Sequence, residues 1–141
     1  MVTAKVHWTD KERFVASATS NHAIVVDAGD DKSANGPMEL VLMGLCSCTA
    51  VDVVSILKKK REPFTRVEVR AEAERASEPP RVYTAIKLTY KVGGKVSRKA
   101  VEDAVRLSEE KYCSVAGMLN KTAKIAWKID LDEAAGAGAA E

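Results

Sequence analysis

The chain has 141 residues, enough for one core, and its 22 basic and 20 acidic side chains leave a formal net charge of only +2. The basic residues are scattered and not interleaved with aromatics, which argues against nucleic acid, since phosphate binding needs clustered Lys and Arg. Three cysteines, with no secretory leader pattern at the N-terminus, suggest reduced thiols in a cytoplasm.

In chain order, AKVHW, RFVASAT and HAIVVDA read as three strands, with TDKE and SN as turns between them. DAGDDKSANGP is a polar loop. Pro37 suits the first turn of a helix, and Glu39 complements its positive end. Lys58, Lys59, Lys60 and Arg61 favour the other end, and Pro63 stops it. From Leu40 to Leu57 the apolar residues lie all round this helix, so it is expected to be buried on most sides. Its length approaches a membrane span, but Glu39, Asp52 and three hydroxyl residues within it argue against one.

Next, RVEVRAEAER and RVYTAIKLTYKV alternate with a period of two and form a hairpin around ASEPP. After a Gly-Gly turn, Ser97 is placed to cap the helix RKAVEDAVRLSEEKY, whose Val101, Ala104, Val105 and Leu107 form one stripe. CSVAGMLN reads as a short helical turn, and AKIAWKIDL as the last strand. The order βββ-α-ββ-α-α-β indicates an α+β fold, as a single domain over residues 1–131 with a flexible tail over 132–141. There is no internal repeat, and GxGxxG and P-loop motifs are both absent.

Chemistry concentrates in LCSCTAVD and KYCSVAGML. A single cysteine in an apolar helix is more often packed than reactive. Cys113, however, falls where one helix ends and another begins, and amide groups at a helix start favour a thiolate. Cys46 and Cys48 point about 200° apart on a helix, so at most one faces a given site. Asp52 shares the face of Cys48, where an ionised carboxylate would raise a thiol; a bond to a loop or a partner subunit suits it better than catalysis. A zinc site from Cys46, Cys48, Cys113 and a histidine is disfavoured by the CxC spacing, which splays the ligands. His7 and His22 are the only histidines, and His7 alternates within a strand.

GPMELVLMGLCSCTAVDVV resembles the central-helix signature of the OsmC/Ohr family, the osmotically induced and organic-hydroperoxide-resistance proteins, and KYCSVAGML resembles its second cysteine motif. The resemblance covers about residues 3–131, and the CSCTAVD wording is closer to the OsmC-like branch. It implies a long buried central helix in an intertwined homodimer, and a thiol-dependent peroxidase of oxidative-stress defence. It also implies no bound cofactor and no metal, with an external dithiol as reductant. By the same resemblance Cys48 is the attacking cysteine, Cys113 its resolving partner, and Glu39 the supporting acid; Cys46 is an extra thiol. Hydroperoxide-resistance members pair that acid with an arginine of the N-terminal strands, a place for which Arg13 and His22 are the candidates. On a regular helix Glu39 and Cys48 stand about 13 Å apart along the axis, so a shared site requires Glu39 of a partner subunit. The alternatives are a non-catalytic binding protein holding a small molecule in an apolar dimer cleft, and a structural dimer with inert thiols.

Overall fold

The computed structural model describes residues 1–132, so the expected tail lies almost entirely outside the described residues. The chain divides into two compact units, Met1–Met43 and Gly44 onward.

The first unit holds β1 (Ala4–Asp10), β2 (Arg13–Ala18) and β3 (Ala23–Asp27), an antiparallel meander in which Trp8 faces Phe14 and Phe14 faces Val26. Lys11 and Asn21 sit at φ 45° and 64° in the two connections, where the TDKE and SN breaks place the turns. Asp27 ends β3 and organises the polar loop. Its carboxylate accepts from the Gly29 and Ser33 amides and the Ser33 hydroxyl at 2.8–2.9 Å, and these bonds pull it down to about 2.

Helix α1 (Pro37–Lys59) crosses the boundary between the units. Its C-terminus closes in a Schellman arrangement, with Arg61 at φ 56°, its amide donating to Lys58 O and that of Glu62 to Leu57 O. Sequence predicted burial on most sides. In the single chain α1 instead buries one stripe, Leu45, Thr49, Val53 and Leu57, while Met43 and Val51 are 50% and 67% exposed. These four recur every fourth residue, the spacing that stacks side chains on one face of a helix.

The second unit pairs β4 (Phe64–Arg75) antiparallel to β5 (Tyr83–Gly94), and β5 parallel to β6 (Lys124–Asp132). A parallel neighbour needs a crossover, which here runs through α2 (Arg98–Leu107), a π-helix (Ser108–Tyr112) and α3 (Ser114–Leu119). Ser97 caps α2 as expected, accepting from the Ala100 amide at 3.2 Å. Instead of one helix to Tyr112, α2 gives way to the π-helix at Ser108. The alternations hold: Val67, Val69, Ala71 and Ala73 are half-buried while Glu68, Arg70, Glu72 and Glu74 are exposed, and Ile125, Trp127, Ile129 and Leu131 are half-buried while Ala126, Lys128 and Asp130 are exposed. Leu45, Val53, Leu57, Ile86, Leu88, Tyr90, Val92, Val101 and Val105 are fully buried and form the core of this unit. Each contributes roughly 1.5–3 kcal/mol through burial.

Gly94 marks the end of the hairpin at φ 110°, opposite Phe64. A Cβ there would lie 2.5 Å from Pro63 O and 3.0 Å from Phe64 Cα, both backbone atoms that cannot swing aside. Gly94→Ala is therefore expected to lower unfolding stability by about 2–4 kcal/mol, measured by urea denaturation.

Candidate active site

The two halves of the site come from α1 and from the segment that follows α2. On α1, Cys46 and Cys48 point in different directions and both are half-buried; desolvation pushes the Cys46 thiol up. Cys48 neighbours Cys113 closely enough for the two thiols to influence one another's ionisation. Cys113 is 5% exposed and occupies the N-cap of α3, where its Sγ accepts from the Ala116 amide at 3.3 Å.

The helix start expected at Cys113 is therefore present, but the thiolate it was expected to favour is not. Burial pushes the Cys113 thiol up to about 12, and the adjoining Cys48 and, when it is ionised, Glu109 act in the same direction. One amide bond pulls downward and is outweighed, so Cys113 is a protonated thiol at neutral pH.

What holds Cys113 against Cys48 is a buried set of hydroxyls. The Cys113 amide donates to Ser108 O at 2.8 Å, the five-residue step that defines the π-helix. Ser108 Oγ lies 2.7 Å from Thr49 Oγ1 and donates to Asp52 Oδ2 at 2.8 Å. Thr49 is the residue after Cys48, and its Oγ1 also lies 2.7 Å from the Tyr90 hydroxyl. That hydroxyl is 2.9 Å from Glu109 Oε2, and the Tyr90 ring stands edge-on to Trp127 at 6.5 Å and 89°. Thr49, Tyr90 and Ser108 have no exposed surface. Desolvation, with a smaller push from Asp52, raises the Glu109 carboxyl, and burial drives the Tyr90 phenol well above its usual range.

Asp52, expected to meet a loop or a partner subunit, is bound instead to Ser108, at the head of the π-helix. Thr49, Tyr90, Ser108 and Glu109 were not among the sequence candidates. A signal existed for two of them: Thr49 lies in register with Leu45 and Val53, and Ser108 follows Val101 and Ala104 on one helical face, so each is a hydroxyl at a core position.

The remaining candidates belong to the first unit. Arg13 forms a two-pronged pair with Asp10 at 2.6 and 3.0 Å. Glu39 accepts from the Gly36 amide at 2.8 Å and pairs with Lys32 at 3.5 Å, and both hold its carboxyl below the usual range. The cation beside Glu39 in its own unit is thus Lys32 of the polar loop, rather than Arg13 or His22. His7 and His22 are exposed. Among the described residues no group of three His, Cys, Asp or Glu side chains is placed to hold a metal ion.

A family model described as OsmC-like protein matches residues 29–128, which include the central helix and both cysteine segments. The chain belongs to the OsmC-like family. Protein YhfA of Escherichia coli (strain K12) is 44% identical over 123 residues, 86% of this chain and 92% of its own length. Among solved structures, a hypothetical protein from Aquifex aeolicus VF5 superposes with a TM-score of 0.82 at 32% identity, covering 94% of this chain and 98% of its own. An organic hydroperoxide resistance protein OsmC from Legionella pneumophila matches with a TM-score of 0.70 over 92% and 96% of the two chains. At 14% identity that likeness speaks for the fold alone.

Thr49→Val keeps the shape of this OsmC-like core but removes the hydroxyl shared by Tyr90 and Ser108. Stripped of that partner, the two hydroxyls remain buried, at an expected cost of about 1–3 kcal/mol in urea unfolding, whereas Thr49→Ser restores most of the loss.

Proposed function

We propose that this OsmC-like protein is a thiol-dependent hydroperoxide reductase of oxidative-stress defence, acting in the cytoplasm as a homodimer without a bound cofactor. The observation that carries this reading is that Cys48 and Cys113, two thiols from different segments, are neighbours whose side chains interact. The family's hydroperoxide-resistance members give the same reading from their motifs.

In this mechanism the Cys48 thiolate attacks the distal oxygen of an organic hydroperoxide. The O–O bond breaks, the alkoxide takes a proton and leaves as alcohol, and Cys48 becomes a sulfenic acid. The Cys113 sulfur then attacks the Cys48 sulfur: the S–S bond forms, the S–O bond breaks and water leaves with the Cys113 proton. An external dithiol reduces the disulfide. The buried position of Cys113 keeps it out of the first step, because only a thiolate is a strong nucleophile and Cys113 is held protonated. Cys46 is the extra thiol.

Dimerisation is supported by the apolar surface that one chain leaves open, including Val51 and Met43 on α1 and Val6 and Trp8 on β1. In this reading the dimer brings Glu39 of the partner to the neighbourhood of Cys48, because helical rise alone keeps Glu39 and Cys48 of one helix about 13 Å apart.

One equivalent of an organic hydroperoxide added to the reduced protein is expected to yield a Cys48–Cys113 disulfide, read by peptide mass spectrometry without reduction. Cys48→Ser is expected to abolish peroxide consumption, and Cys113→Ser to stop at the sulfenic acid. Thiols that stay reduced, or slow oxidation of Cys46 alone, would sink the proposal.

A further inference from the structure

The hydroxyl chain beside the thiols does not have enough hydrogens for its contacts. Asp52, Ser108, Thr49, Tyr90 and Glu109 are joined by four oxygen-to-oxygen contacts of 2.7–2.9 Å, and three hydroxyl hydrogens are available to fill them. With both carboxylates ionised, Ser108 donates to Asp52 and Tyr90 donates to Glu109. Thr49 then has one hydrogen for two contacts, to Ser108 and to Tyr90, whose own hydrogens already point away. One of the two contacts would set bare oxygens 2.7 Å apart between groups with no exposed surface.

A fourth hydrogen removes the conflict. Placed on Glu109, it lets every member donate in one direction: Glu109 to Tyr90, Tyr90 to Thr49, Thr49 to Ser108 and Ser108 to Asp52. We propose that these five residues form a proton-holding relay that stores one proton at the Glu109 carboxyl in the reduced protein, beside the Cys48–Cys113 pair. The groups facing Glu109 come from three elements: Thr49 and Asp52 on α1, Tyr90 on β5, and Cys113 at the start of α3. None is a cation; the Tyr90 and Thr49 hydroxyls favour the ionised carboxylate, but desolvation, the largest effect, and the charge of Asp52 push the carboxyl up and prevail.

The relay also has a consequence for the thiols, which rests on the peroxidase reading. A negative Glu109 opposes loss of the Cys113 proton. A neutral Glu109 removes that opposition while the Cys113 sulfur attacks the Cys48 sulfenic acid. Disulfide closure should therefore slow as pH rises through the point where the relay loses its proton. Glu109→Gln, which can still donate to Tyr90 but cannot titrate, should lack that step.

The test is infrared spectroscopy of the reduced protein at neutral pH, unlabelled and with carbon-13 in the carboxyls of either glutamate or aspartate. A protonated-carboxyl band that moves with labelled glutamate and vanishes in Glu109→Gln, but persists in Glu110→Gln, is the expected result. Absence of the band, or a band moved only by labelled aspartate, overturns the assignment; labelled wild type decides this even where a variant does not fold. The closure rate is then followed against pH in wild type and Glu109→Gln. If wild type shows the band but forms no disulfide with peroxide, the peroxidase reading fails and the relay stands. If closure occurs with no band, or Glu109→Gln keeps the pH step, the relay fails and the peroxidase reading stands.

Discussion

A hydroxyl buried beyond the reach of water must find a partner inside the protein, and in this chain that requirement joins two segments distant in sequence. Thr49 on α1 and Ser108 at the head of the π-helix are both fully buried, and their oxygens meet at 2.7 Å. Thr49 follows Cys48, and Ser108 accepts the Cys113 amide at 2.8 Å through its carbonyl. Two polar contacts therefore connect the residue beside one thiol to the backbone of the other. An unpaired buried hydroxyl costs more than a made bond contributes, so the connection is enforced chiefly by the cost of breaking it.

The π-helix follows from the same constraint. A straight continuation of α2 would hold the amide of residue 113 to the carbonyl four residues back; the wider turn returns it to Ser108, and Cys113 takes an extended φ, ψ of −73°, 106° as the cap of α3. The local backbone thus changes over one residue from helix to cap, and the thiol points inward. Burial makes Cys113 a poor thiolate. A resolving thiol that ionises only with difficulty does not compete for the oxidant, and its proximity to Cys48 supplies the effective concentration that its nucleophilicity lacks.

Much of this architecture was legible in the sequence. The alternation in RVEVRAEAER and AKIAWKIDL, the turns at Lys11 and Asn21, the Ser97 cap and the stop at Pro63 are local signals, and local physics decides them. The two cysteine segments were legible through their wording. Illegible were features set by pairing across the chain: the parallel placement of β6 beside β5, the π-turn inside a helical pattern, and the partner of Asp52. The inferred thiolate at Cys113 went astray because a helix start is visible in sequence whereas its desolvation is not. The all-round apolar character of α1 was correctly read, yet one chain buries only the Leu45, Thr49, Val53 and Leu57 stripe.

The central claim is that the Thr49–Ser108 contact sets the Cys48–Cys113 pair for disulfide chemistry. It is tested most directly by equilibrating the protein in a graded dithiol redox buffer and measuring the midpoint of the Cys48–Cys113 disulfide in wild type, Thr49→Ser and Thr49→Val. The account expects wild type and Thr49→Ser to share a midpoint, and Thr49→Val to form the disulfide less readily while remaining folded. An unchanged midpoint in folded Thr49→Val would contradict it and leave the pairing of the thiols to backbone packing alone.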